Sequence, residues 1–278
     1  MESGILYIVA TPIGNLQDLS PRAIEVLKSV DTILCEDTRH SSSLFSNFGI
    51  KKNLLAYHDH NERNIAQSIV KQLLEGNNLA LVSDAGTPLI SDPGYVLTRL
   101  CHEHGIKVVP IPGCCAFISA LSASGLASDS FTFFGFLPAK AKQRKDKFAE
   151  IKNNQETSIF YESTHRIKDS IDDLIAELGE ERRVCLAREL TKQFETIVTA
   201  SAIEIKEYLL ASNDHTRGEF VLIIEGNHVQ ASSSLTKEIE VLIKELATEL
   251  PPKKVAKIIA NSFNLDKNEI YNYLIENK

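Results

Sequence analysis

The chain has 278 residues, a hydrophobic fraction of 43% and a formal net charge of −7. That length suits two ordinary domains, or two with a small appendage, and the negative charge argues against a protein that grips nucleic acid mainly through phosphates. The apolar run at 5–10 is too short for a membrane span and follows no basic stretch, and the five cysteines (35, 101, 114, 115 and 185) include no Cys-x-x-Cys pair, so the expectation is a cytoplasmic protein with reduced thiols, no export signal, no membrane segment and no structural zinc.

In chain order, residues 6–10 predict an apolar strand. Ser20 and Pro21 then supply an N-cap and a first helical position, with Ala23, Val26, Leu27 and Val30 at helical spacing. A short strand over 32–35 follows. Ile65, Ile69, Val70 and Leu73 mark another helix face, closed by Gly76. A strand at 79–82, a helix at 95–104 and a strand at 107–111 continue the alternation, which predicts a mostly parallel sheet with both faces covered. A Ser-, Ala- and Gly-rich stretch at 122–130 marks a change. Beyond it come a strand at 131–136, a helix at 140–151, a strand at 158–161, a helix at 167–178, a strand at 184–187, a helix at 202–210 and a strand at 220–225.

The polar segment 229–234 reads as a linker. Ile239, Leu242, Ile243 and Leu246 then form one helical stripe. Pro251 and Pro252 break the chain, and Val255, Ile258 and Ile259 begin a second stripe. Asp266 and Glu269 have the spacing of a capping box ahead of Ile270, Tyr273 and Leu274. The expected organisation is an α/β domain over 1–120, a second α/β domain over 121–227 and a compact helical appendage over 235–278.

Ligands of open α/β sheets bind beyond the carboxyl ends of strands, so the segments after each strand carry the chemistry. The first strand is followed by Thr11-Pro12-Ile13-Gly14-Asn15, which is neither Gly-x-Gly-x-x-Gly nor a Walker loop. The strand at 79–82 leads into Ser83-Asp84-Ala85-Gly86-Thr87-Pro88-Leu89-Ile90-Ser91-Asp92-Pro93-Gly94, where small residues let a ligand approach the backbone and prolines fix the path. The same residues also suit a plain two-turn connection. Pro112-Gly113-Cys114-Cys115-Ala116 opens a small-residue helix whose N-terminus could meet an anion or could simply pack closely.

Polar stretches also follow strands at 35–40, 161–166 and 187–192, while 57–63 precedes a helix and 216–220 leads into the last strand. Polar strand ends in both halves predict a cleft between two domains. One basic cluster, Lys140, Lys142, Arg144, Lys145 and Lys147, lies on a predicted helix, and Lys253, Lys254 and Lys257 form a weaker one. The first reads foremost as a solvated helix face, and beside the cleft as a contact for RNA backbone.

The ordered motifs Ala-Thr-Pro-Ile-Gly-Asn-Leu, Glu-Asp-Thr-Arg, His-Asp-His-Asn-Glu, Ser-Asp-Ala-Gly-Thr-Pro, Pro-Gly-x-x-Ala, Phe-Tyr-Glu-Ser-x-His-Arg, Arg-Glu-Leu-Thr-Lys and Arg-Gly-Glu-Phe-Val span residues 5–226. In that order they resemble the ribosomal RNA small-subunit methyltransferase I family, within the tetrapyrrole-methylase group. The porphyrin-methylating cousins carry a Gly-rich loop with Pro-Gly-Asp where this chain has Thr-Pro-Ile-Gly-Asn, which favours the RNA branch. The tail containing Pro252-Lys253-Lys254-Val255-Ala256 resembles the helix-turn-helix-like extension of the same family.

The resemblance implies two α/β domains of the tetrapyrrole-methylase type, a homodimer, and S-adenosylmethionine in the interdomain cleft. The activity it implies is 2′-O-methylation of a cytidine in 16S rRNA of the small ribosomal subunit. By position it assigns the cofactor to Pro12, Asp84, Ala85, Gly86, Thr87, Ile90, Cys115, Ala116, Glu162, Leu190 and Phe220. A ribose hydroxyl is a poor acid, so a proton acceptor should help; His58 and Glu62 are the candidates, with Arg39, Arg166 and Arg188 holding phosphate or base. No metal is expected. Two alternatives stay open: a methyltransferase of the same fold acting on a tetrapyrrole or other small molecule, and a non-catalytic ribosome-binding module.

Overall fold

The structure is a computed structural model that describes residues 3–227, 237–263, 265 and 267–276. The chain divides into two compact units, residues 1–226 and 227–278.

The first unit holds two five-stranded sheets. In the first sheet β1 (Ile5–Val9), β2 (Thr32–Cys35), β3 (Asn53–Ala56), β4 (Leu79–Leu81) and β5 (Lys107–Ile111) all run parallel, in the order β3-β2-β4-β1-β5. They are joined through α1 (Pro21–Ser29), α2 (Thr38–Ser46), α3 (Glu62–Leu74) and α4 (Tyr95–Glu103). Successive strand residues point to opposite faces, and both faces are covered. Ile33 and Ala80 join Val9 and Leu27 in one cluster, whereas Leu34, Leu79 and Leu81 join Leu6, Ile69 and Leu73 in another. This is why the strands read as continuous apolar runs. α1 starts as its sequence predicts: Pro21 leads, and the Ser20 hydroxyl accepts from the Ala23 N–H at 3.1 Å.

Because β4 lies between β2 and β1, the loops leaving β1 and β4 are neighbours. Two backbone hydrogen bonds lock them together, Thr11 N–H to Gly86 O (2.8 Å) and Gly86 N–H to Thr11 O (3.0 Å).

The second sheet contains β6 (Phe131–Phe136), β7 (Thr157–Ser163), β8 (Arg183–Arg188), β9 (Thr196–Ser201) and β10 (Glu219–Ile224), in the order β6-β7-β10-β8-β9. Here the parallel pattern fails. β6 and β7 are parallel, but β10 runs against β7 and β8, and β9 runs against β8. The reason is local: β8 turns into β9 without a helix between them, and β10 inserts between β7 and β8. α6 (Ala141–Ile151), α7 (Ile167–Leu178) and α8 (Ala202–Ala211) cover one face through Phe148, Ile171, Leu174 and Ile205, packed on Phe160, Leu186 and Leu222. α5 (Ala116–Ser124) covers the other with Phe117, Ala120 and Leu121 against Ile159, Cys185 and Ile223. The basic cluster on α6 is partly internal. Arg144 is 3% exposed and bonds Asp173 through Nε (2.8 Å) and Nη2 (2.6 Å), which leaves Lys140, Lys142 and Lys145 as its exposed cations.

In the second unit, α9 (Lys237–Glu249), α10 (Pro252–Phe263) and α11 (Lys267–Glu276) enclose a small core of Ile243, Val255, Ala256, Ile259, Ala260, Ile270 and Leu274. Leu242 and Ile258, placed on apolar stripes by the sequence pattern, are exposed. Lys253, Lys254 and Lys257 are exposed on α10. The expected linker at 229–234 and the expected capping box, which needs Asp266 and the Glu269 side chain, lie outside the described residues. Among the described residues no helix is long and apolar enough to cross a membrane.

Candidate active site

A cavity of about 460 Å³ opens between the two sheets of the first unit, within the size range of small-molecule sites. The first sheet reaches it through the loop after β1 (Ile13), the loop after β4 and the start of α5. The second sheet reaches it through the carboxyl ends of β6 (Phe136) and β7, the residues just after β8, and the start of β10. β10 contributes its beginning because it runs antiparallel to its neighbours.

Ten of the eleven positions assigned to the cofactor by resemblance line this cavity. Asp84, Ala85, Gly86, Thr87 and Ile90 come from the loop after β4, and Cys115 and Ala116 from the start of α5. Glu162, Leu190 and Phe220 come from the second sheet. Pro12 is not among the lining residues. It stands between Thr11, which is pinned to Gly86, and Ile13, which lines the wall. Thr11 also donates its hydroxyl to Ser83 O at 3.0 Å. Thr87 donates its hydroxyl to Cys114 O at 2.8 Å, tying the β4 loop to the loop before α5. Gly86 has φ +89°, a conformation that disfavours any side chain.

Four carboxylates reach the cavity: Asp84, Asp92, Glu162 and Glu219. Glu162 is 2% exposed and saturated inside the second sheet. It accepts from Arg166 Nε (2.9 Å) and Nη2 (2.7 Å), from the Ser163 N–H (2.6 Å) and from the Ser170 hydroxyl (2.6 Å). Glu219 accepts from Lys192 at 2.8 Å, and Lys192 also pairs with Glu189 at 2.9 Å. Asp84 accepts from the Asp37 N–H at 3.3 Å.

Asp92 has no cationic partner among the described residues. Burial pushes its carboxyl up to about 6; a hydrogen bond with Ser83 opposes this, and the charges of Glu36, Asp84 and Asp59 add to it. The folded-state value thus lies above the ordinary 3.8, so ionised Asp92 costs the folded state stability. That cost grows as pH rises from about 4 to about 6 and is constant above it. Asp92→Asn should therefore melt a few degrees higher than wild type at pH 7.5. The difference should shrink as pH falls from 6 toward 4, as thermal melts across that range will show.

The remaining expected residues lie elsewhere. His58 and Glu62 do not line the cavity. The Glu62 carboxylate accepts from the Tyr57 hydroxyl (3.2 Å) and the Gly94 N–H (3.1 Å). His58 is half-buried and its Nδ1 is buried without a hydrogen-bond partner among the described residues. The Arg39 side chain is 91% exposed and pairs with Asp37 at 3.1 Å. Arg166 is engaged by Glu162. Arg188 is 9% exposed and spends its guanidinium on Asp214 O (3.0 Å), Arg217 O (3.1 Å) and Phe194 O (3.1 Å). Its terminal nitrogens hold loops together, while its Nε is buried without a hydrogen-bond partner among the described residues.

Sequence reasoning missed Ile13, Ser91, Asp92, Tyr161 and Thr164, all of which line the cavity. For Asp92 a signal existed, the second Asp-Pro-Gly turn. Among the described residues, no group of three or more His, Cys, Asp or Glu side chains could hold a metal ion.

A family model of the tetrapyrrole (corrin/porphyrin) methylases matches residues 5–206, and the chain belongs to that family. The crystal structure of uroporphyrin-III-C-methyltransferase from Thermus thermophilus shares the fold, with a TM-score of 0.56 at 17% identity over 80% of this chain and 94% of that one. Much nearer in sequence is the ribosomal RNA small subunit methyltransferase I of Haemophilus influenzae, 54% identical across 98% of this chain and 96% of the relative. The protein of the same name from Escherichia coli O157:H7 is 52% identical across 98% and 95%. A model of the RsmI C-terminal HTH domain matches residues 233–278. Within the methylases, the chain is therefore a member of the ribosomal RNA small subunit methyltransferase I family.

Proposed function

We propose that the chain transfers the methyl group of S-adenosylmethionine to the ribose 2′-hydroxyl of a cytidine in 16S rRNA of the small ribosomal subunit. In this reading it works in the cytoplasm as a homodimer. The observation that carries it is the cavity between the two sheets, assembled from the motif loops of a chain that matches its rRNA-methylating relatives end to end.

The cavity's chemistry fits the donor. Ile13, Ile90, Leu190 and Phe220 offer apolar surface to an adenosine. Gly86 adds no side chain to the cavity wall, and Asp84 offers negative charge to a cationic ligand. When bound, the donor supplies a methyl group already activated by a sulfonium. The chain's own part is to hold the ribose oxygen in line at roughly 3 Å and to exclude water.

Arg39 is the expected cation most open to an incoming phosphate. Arg166 and Arg188 act indirectly, by fixing the loops at the ends of β7 and β8. With Arg144 internal and a net charge of −7, the RNA contact is small. Binding should weaken with salt at a slope of a few phosphates; a slope near ten, measured by filter binding, would contradict this.

Transfer of tritiated methyl groups to small ribosomal subunits, naked rRNA and porphyrin precursors tests the assignment. Label is expected in RNA and absent from porphyrin. Label in the porphyrin alone would reverse it, and no label in any acceptor would favour a non-catalytic ribosome binder.

A further inference from the structure

We infer, resting on the ribose-methylation reading above, that Asp92 is the group that takes the proton of the attacking hydroxyl, and that Glu62 positions it. The four cavity carboxylates separate by what already occupies them. Glu162 is ion-paired and saturated by Arg166, Ser163 and Ser170. Glu219 is ion-paired with Lys192. Asp84 is turned to the backbone of Asp37. A carboxylate held by a cation is a weak base. Asp92 lines the cavity and, like Asp84, carries no cation among the described residues; it is set apart by its burial and by the charges of Glu36, Asp84 and Asp59 around it, with Ser83 as its hydrogen-bond partner.

Its placement is built rather than incidental. The turn that carries it contains two non-glycine residues with left-handed backbone, Leu89 (φ +72°) and Ser91 (φ +64°). Such conformations cost energy and persist where the surroundings fix them. They are fixed here from below. At Gly94 (φ +135°) a Cβ would stand 2.7 Å from Leu81 Cδ2, so the turn sits hard on the end of β4. The Gly94 N–H donates to Glu62 at 3.1 Å, and Glu62 is held in turn by the Tyr57 hydroxyl at 3.2 Å, with Tyr57 fully buried. Glu62 therefore reaches the chemistry through Gly94 and the Asp92 turn.

The groups facing Asp92 are Glu36, Asp59 and Asp84 at the ends of β2, β3 and β4, and Tyr161 from β7, whose own phenol is pushed upward mainly by burial and in part by Cys115 and Asp92. The three carboxylates favour a proton on Asp92, and the hydrogen bond with Ser83 opposes it. That suits an acceptor working near neutral pH. In the step itself the ribose oxygen bonds to the methyl carbon and the carbon–sulfur bond breaks, its electron pair passing to sulfur. The hydroxyl proton goes to the Asp92 carboxylate and leaves later to water.

The test is single-turnover methylation of small ribosomal subunits across pH 5–9, together with a titration of the Asp92 carboxyl by carbon NMR in the free chain, assigned by its absence from Asp92→Asn. The wild-type rate should rise with pH through an inflection near the NMR midpoint. Asp92→Asn, checked by melting to be folded, should lose on the order of 10²–10⁴ in rate together with that inflection. Glu62→Ala should lower the rate about tenfold and shift the inflection. Glu62→Gln, whose amide oxygen can still accept from Gly94, should restore both. Wild-type transfer that Asp92→Asn leaves undiminished, or an Asp92 carboxyl titrating near 4 like an exposed one, would overturn the inference alone. A wild-type chain that transfers nothing to RNA would remove the underlying reading, and the inference with it.

Discussion

Replacing Ala116 by leucine should cost about 10- to 100-fold in affinity for S-adenosylmethionine while leaving the melting temperature nearly unchanged. Ala116 is the first residue of α5 and lines the cavity, while the residues after it, Phe117, Ala120 and Leu121, anchor the helix on the second sheet. Leucine is a good helix former, so the helix itself is not penalised. Its three additional carbons project into a space of about 460 Å³ that the ligand must share. Overfilling a packed site costs about 1–3 kcal/mol, and each 1.4 kcal/mol is about tenfold in affinity. Calorimetric titration of the donor, with a thermal melt on the same sample, separates a filled cavity from a damaged fold. Unchanged affinity would mean that the donor lies elsewhere.

The second large effect falls on stability. Glu162→Ala should destabilise the first unit by about 3–5 kcal/mol, the cost typical of breaking a buried ion pair from one side. The side chain of Glu162 is 0% exposed, that of Arg166 is 26% exposed and Ser170 is fully buried. Truncation strands the guanidinium, the Ser170 hydroxyl and the Ser163 N–H together. For a unit of this size the melting temperature should fall by roughly 6–20 °C. Glu162→Gln keeps the shape and, with its amide oxygen in place of Oε1, the contacts to Arg166 and Ser163, and should fall between that variant and wild type. A Glu162→Ala protein with normal melting but lost donor affinity would instead make this carboxylate a direct ligand.

The two carboxylates illustrate where sequence stops being informative. The strand-end motifs placed Glu162 beside a ligand, and it does line the cavity, but its oxygens are consumed by Arg166, Ser163 and Ser170. Whether a conspicuous charge meets a ligand or a neighbour is settled by tertiary contacts that spacing does not encode. Arg188 repeats the lesson with backbone carbonyls as its partners. Asp92 is the converse. In sequence its Asp-Pro-Gly setting is a turn signal, and its exposure to the cavity follows from the left-handed backbone at Leu89 and Ser91.

The loops after β4 and before α5 were legible because prolines, glycines and small residues mark close approach without reference to partners. The strands that escaped notice are both edges. β3 has four residues, one of them exposed and the rest half-buried, and every residue of β9 is half-buried, so neither shows the apolar run of a covered strand. α2 was hidden by its serines, which have modest helix propensity. It forms because Asp37 caps it, accepting from the Arg39 and His40 N–H groups, and because Ser41 and Phe45 pack inward.

The most direct test of the account is the chemical position of the transferred group. Small ribosomal subunits from a strain lacking this protein are methylated in vitro with labelled donor, and their RNA is digested to nucleosides and resolved by mass spectrometry. The account predicts label as 2′-O-methylcytidine. Label on a base, or RNA left unlabelled by a chain that binds the donor, would contradict it.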